Sequence, residues 1–333
     1  MPVELNLEKR IELLCKLGDY LQSNEESWAN ACTRAVRANA WFTEEHIAMA
    51  AENIARQFLQ ADKLHQWLAG YTLPAKTTTV GIVMAGNIPL VGFHDFLCGF
   101  VSGHNLMLKL SSKDEVLMTH ILSKLIEWEP LVFKQVKIAE RLNDCDAYIA
   151  TGSNNTSRYF HQYFGKKPNI IRRNRTSVAI LDGSELDTQL ELLADDVYLY
   201  YGLGCRNVTQ VYVPRDYNFE QLLRVFNKHN NYADLNKYKN NYDYHLAIYL
   251  LNRVPYMSNE SILMVENDMP FSAVSVLHYK YYDDKTELIA QLTTNPDIQA
   301  IIGKGFVPFG HSQKPSLADY ADGVDTMAFL CSM

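Results

Sequence analysis

The spacing of apolar side chains changes once along the chain. Before residue 70 the apolar side chains recur every three or four positions, which predicts helices over Leu5 to Gln22, Glu25 to Asn39 and Thr43 to Leu68. From Thr77 onward, short apolar runs alternate with stretches of helical spacing, as in βαβ units. The short runs have no polar face, so we expect strands of a parallel sheet covered by helices on both sides.

The alternation predicts an α/β fold of two domains, preceded by a helical N-terminal segment. Residues 1–182 hold that segment and a doubly wound, Rossmann-type cofactor domain. Residues 183–310 form a second α/β domain, and residues 311–333 form a C-terminal tail whose packing the pattern leaves open. A polar stretch rich in tyrosine and asparagine, Asn227 to Tyr244, is predicted to run over the surface. The runs that carry the alternation are Thr79–Ala85, Leu90–Ser102, Asn105–Leu110, Glu115–Trp128, Val136–Leu142, Ala147–Ala150, Thr156–Phe164, Ser177–Leu181, Asp187–Tyr200, Val208–Val213, Phe219–Lys228, His245–Asn252, Ala273–Tyr279 and Lys285–Gln291.

Composition narrows the class of protein. A chain of 333 residues, 47% of them hydrophobic, can bury more than one ordinary core, which agrees with two domains. Six cysteines without a CxxC pair argue against a disulfide framework or a zinc knuckle and favour a reducing, cytoplasmic compartment. The net charge of −7 disfavours a general nucleic-acid binder. We expect no metal site, because metal-ligand spacing is not found at His94, His104, His120 and His161.

Neither a secretory signal nor a membrane span is expected. Met1 to Arg10 contains charged residues and lacks the apolar core of a signal peptide. Gly81 to Gly103 is apolar enough for comparison with a transmembrane helix, but Asn87, Pro89 and Asp95 interrupt it. We therefore expect an intracellular protein.

One cysteine stands in a setting unlike that of the other five. Cys205 lies in the segment YGLGCR, between a helix-like run that ends at Tyr200 and a strand-like run that begins at Val208. Glycines permit close approach of the backbone to a ligand, and a neighbouring cation, Arg206, favours the thiolate that attacks carbonyls. Cys205 is therefore the candidate nucleophile, and the alternative is a small buried core residue. That alternative fits Cys15, Cys32, Cys98, Cys145 and Cys331.

Short motifs follow one another in a fixed order: Ala85 to Leu90 (AGNIPL), Leu108 to Ser112 (LKLSS), Ala150 to Ser153 (ATGS) and Gly202 to Cys205 (GLGC). Together they resemble the aldehyde dehydrogenase superfamily. The fuller strings GNIPLVG and GLGCRNV are most similar to its LuxC-type acyl-CoA reductase branch. The similarity extends from Thr79 to Phe309 and implies an aldehyde-dehydrogenase-like fold, with a cofactor domain followed by a catalytic domain.

The resemblance implies roles for residues of the first motifs. Asn87 would form an oxyanion hole with the backbone N–H of Cys205, and one such donor is typically worth about 2.7–4 kcal/mol. Lys109, at the end of a predicted strand, would bind the adenosine ribose of a nicotinamide cofactor. Many NAD-dependent members carry a carboxylate three residues later, where this chain has Ser112, followed by Lys113. NADP(H) is therefore favoured over NAD(H), because a carboxylate would repel the 2′-phosphate. Without the resemblance, Asn87 to Pro89 would be interpreted as a plain turn at a helix start, and Lys109 to Asp114 as a solvated polar loop.

Later segments receive roles in the same way. Gly152 and Ser153 begin a predicted helix, whose amides would hold the pyrophosphate or lie on the nicotinamide side of the cofactor. Glu266, four residues before Pro270, is similar to the family's glutamate that contacts the nicotinamide ribose, although the intervening residues differ. Val307 to Gly310 resembles a segment near the substrate tunnel. An ordinary turn explains the Gly-Ser pair and the last segment equally well.

The chain departs from the hydrolytic members of the superfamily in one region. Those enzymes place a glutamate about 34 residues before the cysteine, whereas Asn169 to Arg175 contains no carboxylate. Without that general base an acyl-enzyme resists water, which benefits an enzyme that reduces thioesters. Arg172, Arg173 and Arg175 could contact anionic groups of coenzyme A or a carrier protein, or could form a solvated basic turn.

The expected function is NADPH-dependent reduction of an acyl thioester, from acyl-CoA or an acyl carrier, to an aldehyde through an acyl-cysteine. Two alternatives stay open: an acyl-phosphate reductase of the same superfamily, and a cofactor-binding scaffold with little activity. The region before Thr79 is too short for the family's oligomerisation hairpin, which favours the scaffold and weakens the expectation of a homodimer. The pair Asn87 and Cys205 counts against the scaffold.

Overall fold

The chain divides into two units, and their bounds differ from the predicted ones. The computed structural model describes residues 5–333; residues 1–4, part of the charged N-terminal run, lie outside this range. The first unit extends to Asn174 and also takes in Pro315–Met333, and the second is Arg175–Lys314. The first unit thus ends before the predicted boundary at residue 182, and the C-terminal tail belongs to the first unit.

The first unit begins with the predicted helices, of which the third is broken. Phe58 and Leu59 interrupt the predicted helix Thr43–Leu68, and both side chains are buried. Leu59 packs on Gly18, where an added Cβ would come within 3.0 Å of the Leu59 Cβ atom. Tertiary packing therefore ends a helix that its own spacing would continue. The helices are α1 (Leu7–Leu21), α2 (Glu26–Ala38), α3 (Glu44–Gln57) and α4 (Ala61–Leu68).

Strands and helices then alternate up to Asn174. They are β1 (Thr79–Val83), α5 (Phe93–Ser102), β2 (Asn105–Lys109), α6 (Glu115–Trp128), α7 (Val132–Gln135), β3 (Val136–Ile138), β4 (Ala147–Thr151), α8 (Asn154–Phe164) and β5 (Asn169–Arg172). The strands are parallel and lie in the order β3-β2-β1-β4-β5, so the order reverses between β1 and β4. This is the doubly wound arrangement that the alternation predicts. The sequence missed β5, and the predicted run Val136–Leu142 is a strand only to Ile138.

The second unit contains a mixed sheet. Its elements are β6 (Thr176–Ile180), α9 (Asp187–Tyr198), β7 (Val208–Val213), α10 (Phe219–Phe226), α11 (Asn236–Asn252), β8 (Met257–Ser258), β9 (Leu263–Glu266), β10 (Val276–Tyr281), α12 (Lys285–Thr294) and β11 (Ile298–Gly303), with 3₁₀ turns at Leu199–Gly202 and Asn227–Asp234. The strands lie in the order β11-β6-β7-β10-β9-β8, and all neighbours are parallel except the short β8, which is antiparallel to β9. Because β6 pairs with β7 and β11, the second unit begins before residue 182.

The segment Asn227–Tyr244 lies largely at the surface, as predicted, but it is helical and contributes to the core. It forms a 3₁₀ turn and most of α11, and Tyr232, Tyr238 and Tyr242 are buried. A buried tyrosine needs a partner for its hydroxyl, and the Tyr242 hydroxyl lies 2.7 Å from Ser258 Oγ. Tyrosine and asparagine suggested a polar surface, but the rings supply core surface in this unit.

The C-terminal tail completes the core of the first unit. Leu317, Tyr320, Met327 and Leu330 are buried among the apolar side chains of the helical segment and the first sheet. The Tyr320 hydroxyl accepts a hydrogen bond from Trp67 Nε1 at 2.9 Å. The tail contains a 3₁₀ turn at Ala321–Gly323 and the helix α13 (Thr326–Cys331). Within residues 5–333, no helix combines the length and apolar character that crossing a membrane requires.

Candidate active site

The carboxyl edge of the first sheet collects the residues predicted in the first unit. β1 leads into the loop of Asn87, β2 ends at Lys109 and continues to Ser112, and β4 leads to Gly152 and Ser153. β1 and β4 are the neighbours at which the strand order reverses. In open parallel sheets, ligands bind beyond the carboxyl ends of the strands at this point. The fold therefore brings these residues to the edge where a dinucleotide is expected.

Lys109 and Ser112 are both exposed at this edge. The Lys109 ammonium donates a hydrogen bond of 2.7 Å to the backbone oxygen of Glu140. An exposed ammonium in such a position can exchange this bond for one with a ribose or a phosphate. The neighbouring Lys113 is also exposed, whereas Asp114 is buried. Ser112 and Lys113 therefore present a hydroxyl and a cation to solvent.

Gly152 and Ser153 form the entrance to α8. The Ser153 side chain caps the helix by accepting a hydrogen bond of 3.3 Å from the amide of Thr156. Gly152 lies tightly against the first turn, because an added Cβ would stand 3.0 Å from Thr156 Cβ and 2.9 Å from a ring carbon of Phe160. A helix start at the carboxyl end of a strand offers amides to an anion.

The loop of Asn87 is held by a carboxyl group that the sequence reading missed. Leu90, at the end of the loop, has a φ of 57°, and its amide donates a hydrogen bond of 2.7 Å to Asp114 Oδ2. Asp114 precedes α6 but does not cap it. Burial raises the pKa of Asp114 to about 8, although the Leu90 hydrogen bond acts in the opposite direction. The only sequence signal is an aspartate at a helix start, which would predict an ordinary N-cap.

Cys205 follows a left-handed turn in the second unit. Tyr200, Tyr201 and Gly202 have φ values of 54°, 58° and 73°. Two successive tyrosines in this region cost about 1–2 kcal/mol each, so the surrounding structure must hold them. Cys205 itself is partly exposed, and its backbone oxygen accepts a hydrogen bond of 3.1 Å from Ser177 Oγ. The turn ends the predicted helix Asp187–Tyr200 early, at Tyr198.

Asn207 ties the two sides of this turn together. Its side chain is fully buried, and Oδ1 accepts a hydrogen bond of 2.8 Å from the amide of Gly204. Its Nδ2 donates to the backbone oxygens of Asp196 (3.1 Å), Val197 (3.3 Å) and Leu199 (2.8 Å). One amide side chain thus joins the end of α9 to the loop that carries Cys205. Sequence reasoning missed this role, although Asn207 belongs to the string GLGCRNV.

A buried carboxyl group links the same helix to the segment near residue 310. Asp196 accepts hydrogen bonds from the amides of Gly310 (2.7 Å) and Ser312 (3.0 Å). Burial raises the pKa of Asp196, and these hydrogen bonds lower it in part. The segment Val307–Gly310, predicted to lie near a substrate tunnel, is therefore anchored to the end of α9.

The comparison with models of protein families decides the family. The model for acyl-CoA reductase (LuxC) matches residues 18–234, which is more than half of the chain. The chain belongs to the LuxC acyl-CoA reductase family. The matched range includes Asn87, Lys109 and Cys205 and ends before Glu266. A comparison with curated proteins found no match.

Solved structures place this LuxC chain in the aldehyde dehydrogenase fold. An oxidoreductase from Marinobacter aquaeolei has a TM-score of 0.70 and 11% identity, over 91% of this chain and 74% of that chain. Aldehyde dehydrogenase 21 from Physcomitrella patens, in complex with the reaction product succinate, has a TM-score of 0.67 and 13% identity, over 90% and 74%. A mutant of the indole-3-acetaldehyde dehydrogenase AldA from P. syringae, in complex with NAD+ and IAA, has a TM-score of 0.65 and 15% identity, over 88% and 70%. At these identities the likeness shows the fold alone.

Glu266 lies far from Cys205 in the second unit of this LuxC protein. Cys205 precedes β7 at the amino edge of the sheet, whereas Glu266 ends β9 at the carboxyl edge. Through β10, Glu266 is in register with Val211, which lies three residues, or about 10 Å at about 3.3 Å per residue, beyond the first residue of β7. After Glu266 the chain returns toward the amino edge of the sheet, where the backbone oxygen of Pro270 accepts a hydrogen bond of 2.5 Å from Thr209 Oγ1, near the start of β7. Glu266 and Cys205 therefore lie at opposite edges of this sheet, and the contact of Glu266 with a cofactor ribose stays a prediction.

Arg172 is used inside the first unit. It is buried, its Nη1 lies 2.5 Å from Asp95 Oδ2, and its Nη2 donates to Thr326 Oγ1 at 2.8 Å. Burial lowers the pKa of Arg172, but the charge and hydrogen bond of Asp95 outweigh it, and the pKa lies above its ordinary value. Arg172 is therefore neither part of a solvated turn nor exposed for a contact with coenzyme A, which were the two predicted roles. Arg173 is exposed, and Arg175 Nη1 donates to the backbone oxygen of Ile298 at 3.3 Å.

The other five thiols of this LuxC protein have pKa values above the ordinary one. Cys98 and Cys145 are buried, as expected of core residues, whereas Cys15, Cys32 and Cys331 are partly exposed. None of the cysteines within residues 5–333 forms a disulfide. A buried thiol gives up its proton less readily, so less thiolate exists at neutral pH. Within the same range, no group of three or more His, Cys, Asp or Glu side chains is arranged to hold a metal ion. Burial raises the pKa of Cys32 to about 11 and raises the pKa of Cys15, Cys98, Cys145 and Cys331.

Proposed function

We propose that this protein reduces an acyl thioester to an aldehyde, with NADPH as the reductant and Cys205 as the group that carries the acyl chain. Membership of the LuxC family supports acyl reductase activity. The finer assignment depends on one observation: a partly exposed cysteine on a loop that a buried asparagine anchors, Asn207. Desolvation raises the pKa of each of the other five thiols, including Cys15, Cys32 and Cys331, which are partly exposed like Cys205, so we expect less thiolate at these positions.

The first chemical step is transfer of the acyl group to Cys205. The thiolate attacks the acyl carbon, a new carbon–sulfur bond forms, and the bond to the sulfur of coenzyme A or a carrier breaks. The leaving sulfur takes up a proton, and one thioester replaces another. Asn87 donates a hydrogen bond to the acyl oxygen, which becomes negatively charged in the tetrahedral intermediate. Such a donor is worth about 2.7–4 kcal/mol in the transition state.

The carboxyl edge of the first sheet fits a nicotinamide dinucleotide. Lys109 presents an exposed ammonium, and Gly152 and Ser153 precede the amides of α8, which suit an anion. Ser112 and Lys113 suit a 2′-phosphate, which would be repelled by a carboxylate at position 112. When bound, NADPH supplies the hydride that reduces the acyl carbon. The bond between that carbon and Cys205 Sγ then breaks, which releases the aldehyde and restores the thiolate.

The residues of β5 favour reduction over hydrolysis. Hydrolytic relatives need a general base to activate water, and the resemblance assigns that base to the region Asn169–Arg175, which begins with this strand and contains no carboxylate. The side chains of this strand are those of asparagine, isoleucine and arginine. An acyl-Cys205 would therefore persist until it is reduced.

The test is the intact mass of the protein after incubation with acyl-CoAs of several chain lengths in the absence of NADPH. We expect a mass increase of one acyl group, which Cys205→Ala abolishes and NADPH discharges as an aldehyde. Cys331→Ala, which removes another partly exposed thiol, is the matched control and should be acylated normally. An acyl adduct that persists in Cys205→Ala would overturn the assignment of the nucleophile.

Other outcomes identify the alternatives. Acylation by an acyl phosphate, with no adduct from any acyl-CoA, would favour the acyl-phosphate reductase. Binding of NADPH without acylation by either donor would favour a cofactor-binding scaffold.

A further inference from the structure

Asp114 connects two loops that the proposed function assigns to different tasks. Its own amide donates to Ser111 O at 3.0 Å, within the turn that follows Lys109. Its Oδ2 accepts the amide of Leu90 at 2.7 Å, in the loop that carries Asn87. The loop that follows Lys109, here called the cofactor loop, is assigned to the cofactor, and the loop that carries Asn87 is assigned to the acyl oxygen. Asp114 belongs to the cofactor loop, and its buried side chain contacts the Asn87 loop.

The loops are packed against each other without spare room. An added Cβ on Gly86 would lie 2.6 Å from Ser111 Oγ and 3.1 Å from Asp114 Cβ. Leu90 adopts a left-handed conformation, which is unfavourable for a non-glycine residue. The hydrogen bond from its amide to the buried carboxyl group of Asp114 helps to hold that conformation. The conformation of the Asn87 loop thus depends on a contact with the cofactor loop.

The surroundings of Asp114 disfavour a charge. Asp114 is 5% exposed, and its Oδ1 has no hydrogen-bond partner in the structure. A small cavity of about 10 Å³ lies beside Asp114. The charged residues at this cavity, Lys113 and Glu115, are both exposed. Its other lining residues are Ala35, Ala38, Phe42, Ser112 and Val116. Burial raises the pKa of Asp114 to about 8, so the neutral form dominates at pH 7.

We propose that Asp114 is a positioning residue, which holds the Asn87 loop against the cofactor loop and thereby keeps the oxyanion donor in place. This inference rests on the proposed function. Ionisation of Asp114 places an uncompensated charge in an apolar setting, and the two loops must separate to hydrate it. Asn87 is then displaced from the position in which it donates to the acyl oxygen, whereas the reactivity of the Cys205 thiolate is unchanged.

The test separates the oxyanion donor from the thiolate. We would measure the rate of Cys205 acylation by acyl-CoA and the rate of its alkylation by iodoacetamide between pH 6 and pH 9.5. Alkylation needs the thiolate but no oxyanion donor, so the ratio of the two rates removes the titration of the thiol. We expect the ratio to fall as the pH rises through about 8 in the wild type. Asp114→Asn, which keeps the shape and an acceptor oxygen without the charge, should show a flat ratio.

Two further variants test whether the contact of Asp114 affects the ratio and whether a neighbouring carboxylate causes the pH dependence. Below about pH 7 the ratio in Asp114→Ala should be at least about tenfold lower than in the wild type, because displacement of a catalytic group by about 1 Å costs up to 10²-fold, and it should not fall further as the pH rises. Glu115→Gln changes the neighbouring exposed carboxylate and should follow the wild type. A ratio in Asp114→Asn that falls with pH as in the wild type would overturn the proposal, as would an unchanged ratio in Asp114→Ala.

Hydrogen exchange of the Leu90 amide distinguishes a failure of this inference from a failure of the proposed function. We expect protection of this amide in the wild type and in Asp114→Asn, and its loss in Asp114→Ala. Rapid exchange in the wild type would overturn the positioning role even if Cys205 is acylated. Protection without any acylation would instead overturn the proposed function, and with it the catalytic part of the role, while the contact itself stands.

Discussion

Replacement of Asn207 by alanine tests how the loop of Cys205 is held. The side chain is fully buried, and its amide faces one donor and three acceptors of the backbone. Because Nδ2 carries two hydrogens, its contacts with three carbonyls amount to two full hydrogen bonds. The amide of Gly204 adds a third hydrogen bond, to Oδ1, so Asn207→Ala removes about three hydrogen bonds in total. At about 1 ± 0.5 kcal/mol each, the free energy of unfolding should fall by about 3 kcal/mol.

The release of the turn adds a local effect. Tyr200 and Tyr201 have left-handed φ values, and the truncated side chain would let them relax toward ordinary conformations. The carbonyl groups that lose Nδ2 can then reach water as the turn opens. We therefore expect a larger loss in the rate of Cys205 acylation than in its rate of alkylation by iodoacetamide, since only acylation needs a positioned acyl oxygen.

The assay is equilibrium unfolding in urea with two probes. The four tryptophans lie in the first unit, so their fluorescence reports that unit, whereas far-ultraviolet circular dichroism reports both. Asn207→Ala should lower the midpoint seen by circular dichroism. Asn252→Ala removes an exposed amide that donates to Ile248 O at 2.9 Å, and it should stay within about 0.5 kcal/mol of the wild type.

A small effect would refute this reasoning. If Asn207→Ala lowers the free energy of unfolding by no more than Asn252→Ala does, the hydrogen bonds of Asn207 do not hold the loop. Asn207→Asp offers a second check, since it keeps the acceptor for Gly204 but turns a carboxylate toward the backbone oxygens. It should be at least as unstable as the alanine variant. A stable Asn207→Asp would show that the bond from Gly204 alone is sufficient.

Three further predictions concern the first unit. The pKa of Asp114 is raised from 3.8 to about 8, so its contribution to stability is present below pH 3.8 and is lost as the pH rises through about 8. The loss is on the order of 5 kcal/mol at about 1.4 kcal/mol per pKa unit, and urea midpoints of Asp114→Asn should vary less with pH than those of the wild type. Arg172→Ala should cost about 3–5 kcal/mol by leaving Asp95 buried and unpaired, and a double variant with Asp95→Ala should recover part of this loss; equal or greater instability of the double variant would contradict it. Ser112→Glu should raise the Kd of NADPH at least about tenfold and that of NADH much less, and fluorescence titration that shows equal effects on both would count against a 2′-phosphate at this loop.

Part of the candidate site follows from local sequence. A cysteine after glycines and before a strand predicts a loop thiol, and the structure shows Cys205 partly exposed at that place. The alternation around Lys109 predicts a strand end, and β2 ends at this residue. Such features depend on spacing and on backbone preferences over a few residues, which are visible in one sequence.

The errors share one physical origin. For Arg172 the sequence allows a solvated turn or a contact with coenzyme A or a carrier protein, because a charged residue is rarely buried, but its partner Asp95 lies in α5, far away in sequence within the same unit. The tyrosines of Asn227–Tyr244 appeared polar, although Tyr238 and Tyr242 are buried. In each case the partner is not a neighbour in sequence.

The sequence by itself determined the class of fold, the family, and the loop on which the candidate nucleophile lies, because hydrophobic period and short motifs act locally. The tertiary structure decided which side chains hold that chemistry in place. Asp114 could have capped its own helix, and Asn207 could have faced solvent. Burial instead required each to pair with backbone groups brought near by the fold, Leu90 for the first and the end of α9 for the second. The partner of Asp114 lies 24 residues away in sequence, and those of Asn207 come close only because the chain turns sharply between α9 and β7, so spacing in the sequence does not identify them.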